Sequence, residues 1–149
     1  MTCSTTEQAF IAAGRRVIAR EAEALTLLAS GLDASFAAAV TLIMAAKGRT
    51  IVSGMGKSGH IARKIAATFA STGTPAHFVH PAEASHGDLG MLTQGDVALV
   101  LSNSGETVEL ADIVAHTRRF GIPLIAVASR ADSTLVRQAD VAIILPQAP

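Results

Sequence analysis

The stretch Thr50-Ile51-Val52-Ser53-Gly54-Met55-Gly56-Lys57-Ser58-Gly59-His60 runs from a short apolar segment through a glycine turn into a helical pattern. The short run Thr50 to Ser53, largely β-branched and ended by glycine, reads as a buried strand, and a helix over about Ser58 to Ala70 follows it. The same alternation continues downstream. Ala76 to Val79, Val97 to Leu101, Leu124 to Val127 and Val141 to Leu145 are further short apolar runs. Helical stretches fall at Thr107 to Phe120 and Ser133 to Gln138, and the segment from Pro81 to Gly90 is expected to be partly helical. Strand and helix in alternation imply an α/β fold with a doubly wound, five-stranded parallel sheet buried on both faces. The flavodoxin-like order 2-1-3-4-5 sets the first and third strands side by side and opens a crevice at their carboxyl ends. The loops Gly54 to Gly59 and Ser102 to Thr107 should line it.

Upstream, Phe10, Ile11, Val17, Ile18, Leu25 and Leu28 recur at helical spacing from Thr5 to about Ser30. Gly31 is expected to end this helix and Asp33 to cap a second, Ala34 to Lys47, which Gly48 stops. The second helix is apolar almost all round, so burial is expected. Residues 1–149 read as one domain, with 1–48 as its N-terminal helices.

Half of the residues are hydrophobic, only 16% are charged, and Trp and Tyr are absent, so aliphatic side chains must build the core. Twelve basic residues balance twelve acidic ones. Such a chain has no overall field to attract nucleic acid or an anionic membrane surface, and any anion site must be local. No apolar run approaches the roughly 20 residues of a membrane span. The opening residues lack a basic segment followed by an apolar stretch, and the lone Cys3 fits a reducing compartment, so a soluble cytoplasmic protein is expected. A neutral, apolar-rich domain tends to hide its patches against other subunits.

Gly54, Gly56 and Gly59 match the spacing of a dinucleotide fingerprint. That site also wants an acidic residue at the end of the second strand, where this chain has His80, Pro81 and Ala82. A triphosphate loop fails as well, because its first glycine would fall at Ile51. The glycines serve equally well for a tight strand-to-helix turn. More telling is Ser102-Asn103-Ser104-Gly105-Glu106-Thr107 ahead of a helix whose first N–H groups lack internal partners. Three hydroxyls and a helix start outline a phosphate cradle. Ser104 could instead only cap the helix, but that leaves Ser102 and Thr107 unexplained. Glu109, in the first helical turn, suits either the helix dipole or proton exchange with a bound sugar.

His80-Pro81-Ala82-Glu83-Ala84-Ser85-His86-Gly87-Asp88-Leu89-Gly90 is rich in groups that donate, accept or carry protons. His60, His77 and His116 read as surface or structural residues. His80 and His86 are too far apart for one helical face and no cysteine lies near them, so an essential zinc is not expected. His80 could still hold an inhibitory transition metal.

Together, the Gly54 to His60 loop, Ser71-Thr72-Gly73-Thr74-Pro75, the His80 to Gly90 segment and Ser102 to Thr107 resemble the sugar isomerase domain of bacterial arabinose 5-phosphate isomerases. The resemblance implies interconversion of D-arabinose 5-phosphate and D-ribulose 5-phosphate, feeding 3-deoxy-D-manno-octulosonate synthesis for lipopolysaccharide or capsule. It implies a homotetramer and no organic cofactor. Lys57 and Glu109 match essential positions of the family, and Gly73, Thr74, His80 and His86 match substrate contacts. Lys57, Glu109 and His86 are the expected catalytic residues, as oxyanion-stabilising cation, base and relay or ring-opening group. Ser53, Gly54, Gly56, Ser58, Ser102, Ser104, Gly105 and Thr107 are the expected further contacts to the sugar phosphate. Family members continue beyond Pro149 with another glutamate, a histidine and, in many, paired cystathionine-beta-synthase domains. The chain is therefore expected to lack part of the active site and to bind better than it turns over. An isomerase of another sugar phosphate and a non-catalytic phosphosugar sensor are the competing readings.

Overall fold

The computed structural model describes residues 5–147, so Cys3 lies outside the described residues. These fall into two units, one holding the first helix and the other Asp33–Leu145. In the second unit the strands are β1 Thr50–Gly54, β2 Ala76–Phe78, β3 Val97–Leu101, β4 Leu124–Ala128 and β5 Val141–Ile144. They form one parallel sheet in the order β2-β1-β3-β4-β5, as the alternation implies. Thr50 pairs with Ala76 on one side and Val97 on the other, and Ile125 pairs with Val141.

The helices are α1 Thr5–Gly31, α2 Ala34–Ala45, α3 Gly56–Ser71, α4 Pro81–Ser85, α5 Ala111–Phe120 and α6 Thr134–Gln138. Two cores follow from the twofold alternation of strand side chains. Ile51, Ala98, Val100, Leu124 and Ala126 pack with Ala84, Leu110, Ile113 and Leu135, on the side of α4, α5 and α6. Val52, Val97, Leu99, Leu101 and Ile125 pack with Ala39, Ala62 and Ala66, on the side of α2 and α3. Each large aliphatic side chain buried this way stabilises the fold by about 1.5–3 kcal/mol, so the central strands hold the molecule together.

Three expectations need correction. The helix expected from Thr107 begins instead with a 3-10 turn, Val108–Leu110, where the Leu110 N–H reaches the Thr107 carbonyl at 3.2 Å, and α5 starts at Ala111. Gly48 does not stop α2, which ends at Ala45 when Ala46 turns to ψ 132°. Lys47 and Gly48 then both donate to the Gly95 carbonyl, and the buried Asp96 carboxylate accepts the Arg49 and Thr93 N–H groups at 2.7 and 2.8 Å. Nor is α2 buried all round: Ala39 alone is buried, while Phe36 and Met44 are exposed, because a helix lying on a sheet covers one stripe only. In α1 no residue is buried, and Phe10, Val17, Ile18 and Leu25 are all exposed. Among the described residues no single helix is long and apolar enough to cross a membrane.

Candidate functional site

Gly54 pairs with Leu101, so the loops that leave β1 and β3 start side by side at the carboxyl end of the sheet. Close approach there demands glycine. A Cβ on Gly54 would stand 3.0 Å from the Leu101 carbonyl oxygen, and one on Gly59 would stand 2.6 Å from the Gly54 carbonyl oxygen. Two of the three fingerprint glycines are thus explained by strand-to-helix packing. Gly56, at φ 56°, opens α3, and Lys57 follows it exposed in the first turn. The N-cap Met55 makes no side-chain cap bond, which leaves the first N–H groups of α3, Lys57 among them, without a side-chain cap. Ser58 is half-buried in the same turn. Ser53 is buried and spends its hydroxyl on the Val79 carbonyl at 2.7 Å, which ties β1 to the start of the histidine segment.

The second loop is a hydroxyl cluster with its own bonding. Ser102 Oγ accepts the Gly105 N–H at 3.0 Å and lies 2.7 Å from Thr107 Oγ1. Ser102 is buried and Thr107 half-buried, so if Ser102 donates to Thr107, the Thr107 proton is left to point outward. Ser104 Oγ accepts the Glu106 N–H at 3.2 Å, a local turn rather than a helix cap, and Thr107 makes no cap either. Capping therefore does not account for these hydroxyls. Gly105 takes φ 67° and turns the loop over.

The histidine segment reaches the same end. Its helix α4 packs against the 3-10 turn that carries Glu109 and against α5. His80 Nδ1 accepts the Ala82 N–H at 3.3 Å, which leaves Nε2 to carry the ring proton, and its ring meets Phe78 edge-on at 6.1 Å. Arg63 from α3 covers the Phe78 ring at 4.0 Å. His86 ends α4 and is exposed, as is Glu109. Gly73 and Thr74 are not brought here: they precede β2, whose first residue pairs with Thr50, and so lie at the amino end of the strands. Within one chain they cannot join the loops after β1 and β3. Among the described residues no group of three or more His, Cys, Asp or Glu gathers as a metal site, at His80 or elsewhere. His116 bonds the Leu92 carbonyl at 3.0 Å and meets the Phe120 ring at a tilt, a structural role, and His60 is exposed. Half-buried His77 has its imidazole pKa pushed down by burial and by the Arg49 charge.

Sequence reasoning passed over the connection Ser129 to Ser133 after β4. Ser129 donates to Asn103 Oδ1 at 2.6 Å, and the Thr134 N–H donates to the Glu106 carboxylate at 2.9 Å. Hydrogen bonds from Thr134 hold the Glu106 carboxyl below the usual carboxylate range. The available signal was position: like the other two loops, this hydroxyl-bearing stretch leaves the carboxyl end of a central strand. A cavity of about 520 Å³ also opens between α5 and α6, but Val108, Leu110, Val114 and Leu135 give it chiefly apolar walls.

Residues 42–149 match the SIS domain family. The arabinose 5-phosphate isomerase KdsD of Pseudomonas aeruginosa is 50% identical over 132 residues, which is 89% of this chain and 40% of that protein. The arabinose 5-phosphate isomerase KpsF of an Escherichia coli strain is 46% identical over 97% of this chain and 45% of its own length. The chain thus spans less than half the length of these curated relatives. An E. coli protein solved in complex with arabinose 5-phosphate superposes with a TM-score of 0.88 at 37% identity, covering 93% of this chain and 74% of that one. By the family match over most of its length, the chain belongs to the SIS domain family.

Proposed function

We propose that this chain is the sugar-phosphate-handling domain of an arabinose 5-phosphate isomerase, interconverting D-arabinose 5-phosphate and D-ribulose 5-phosphate. The observation that carries the reading is the Ser102 to Thr107 loop, whose hydroxyls are not consumed as helix caps and which lies beside the uncapped start of α3. Relatives that bear this activity in their names, and a solved relative holding arabinose 5-phosphate, support the choice of substrate.

The chemistry needs ring opening, loss of a proton from one carbon, an enediolate, and return of the proton to the neighbouring carbon. In the proposed arrangement the second loop and the α3 start hold the phosphate. Lys57 places its ammonium where negative charge develops on the enediolate oxygen. Glu109 is the base, and His86, on the neighbouring segment, opens the ring or relays the proton; His80 offers its Nε2 proton to a sugar hydroxyl. No step calls for an organic cofactor or a metal. Gly73 and Thr74, at the far end of the sheet, can serve only the site of a neighbouring subunit, which the proposed homotetramer supplies. Cytoplasmic work in 3-deoxy-D-manno-octulosonate supply for lipopolysaccharide or capsule completes the proposal.

The test is a panel of aldose and ketose phosphates incubated with the complete protein in deuterated water, read both as ketose formed and as deuterium taken into the sugar. Arabinose 5-phosphate is expected to lead on both readouts. Preferential turnover of a hexulose 6-phosphate would reassign the substrate, and binding with no deuterium uptake would make the domain a sensor.

A further inference from the structure

The connection after β4 brings to the second loop one residue that the mechanism above leaves unused. Ser133 is wholly buried, at 0% exposure, and its Oγ has no hydrogen-bond partner. It sits against Gly105, so closely that a Cβ on that glycine would overlap the Ser133 hydroxyl. The same connection and the start of α6 already grip the loop elsewhere. The Leu135 N–H donates to the Gly105 carbonyl at 3.0 Å, the Thr134 N–H to Glu106 at 2.9 Å, and Ser129 to Asn103 at 2.6 Å. Those bonds hold the two segments together without Ser133. Alanine would keep the Cβ packing, give up only the volume of one oxygen, and spare the chain an unpaired buried hydroxyl, which is a net cost to folding. A group kept at such a cost points to a second arrangement of the loop in which it is used.

Building on the phosphate-binding reading, we propose that Ser133 is a positioning residue for the phosphate loop. Its hydroxyl, unpartnered in the arrangement described here, takes a partner from the Ser102 to Thr107 loop when phosphate draws that loop down. Ser133 does not touch the ligand; it acts through the backbone at Gly105. The consequence is a pair of effects of opposite sign. Removing the hydroxyl relieves the cost in the free protein and forfeits the bond in the complex.

The experiment compares the wild-type chain with Ser133→Ala, measuring thermal midpoint without ligand and calorimetric affinity for D-arabinose 5-phosphate. Ser133→Ala is expected to keep or raise the midpoint while weakening the sugar phosphate by about tenfold, the scale of one hydrogen bond in a charged network. Ser133→Cys, which returns a weak donor of similar shape, is expected to recover part of that affinity. An unchanged affinity in Ser133→Ala would make the hydroxyl mere packing, and a lowered midpoint would show that it is already partnered in the free protein; either overturns the proposal. Failure of the wild-type chain itself to bind the sugar phosphate would instead overturn the phosphate-binding reading, and this inference with it.

Discussion

At the scale of single residues, the glycine loop separates what packing demands from what chemistry demands. Gly59 has no room for a methyl group 2.6 Å from a backbone oxygen, so Gly59→Ala is expected to lower stability by about 1–3 kcal/mol, read as a shift of the urea midpoint at unchanged slope. Lys57, exposed at the start of the same helix, bears no such load. Lys57→Met is expected to leave the urea midpoint within error and, in the complete protein, to cut turnover of arabinose 5-phosphate by about 10²- to 10³-fold, as loss of one oxyanion-stabilising group does elsewhere. The hydroxyls of Ser102, Ser104 and Thr107 could be picked out in the sequence because they crowd one short loop between a strand and a helix. Ser133 could not. Read alone it looks like a helix start, and only the fold sets it against Gly105.

Among the elements, the strands were the most legible, because a run buried on both faces must be continuously apolar. Val97 to Leu101 is found at its expected bounds, and the other four differ by one residue at one end. The start of α5 was not legible, since helical periodicity does not distinguish a 3-10 turn from the first turn of an α-helix. The burial of α2 was misjudged for another reason: an apolar surface is not the same as a covered one. On β2, His77 carries a testable pH dependence. Its imidazole is held below the ordinary value of about 6.5, so the unfolded chain takes up this proton more readily than the folded one. Its contribution is therefore present above about pH 6.5 and is lost as the pH falls through the lower folded value. Urea unfolding between pH 8 and pH 5 is expected to show this acid-side decline in the wild type, and a shallower one in His77→Leu. Identical profiles would remove His77 as its source.

For the whole molecule, the balanced charge and the apolar side chains of α1 point the same way. Phe10 is 71% and Ile18 68% exposed, which is costly for side chains of that size in a monomer. Light scattering is expected to give a multiple of the 15.3 kDa chain mass, and charge introduced by Ile18→Glu with Leu25→Glu is expected to lower it. A monomer at every concentration would contradict the proposed tetramer. The fold brings together, at one end of the sheet, the loops after β1, β3 and β4; strand order foretold the first two, and the third was passed over. Gly73 and Thr74 were not foreseen at the opposite end, because family resemblance names positions without saying where in the fold they lie. The central claim is that the Ser102 to Thr107 loop holds phosphate, and the direct test is calorimetric titration of wild type and Ser104→Ala with D-arabinose 5-phosphate and with unphosphorylated D-arabinose. A hydrogen bond to a charged group is worth about 1.5–3 kcal/mol, so Ser104→Ala is expected to weaken the phosphorylated sugar by about tenfold or more and leave the unphosphorylated one unchanged. An equal loss for both sugars, or none for either, would contradict it.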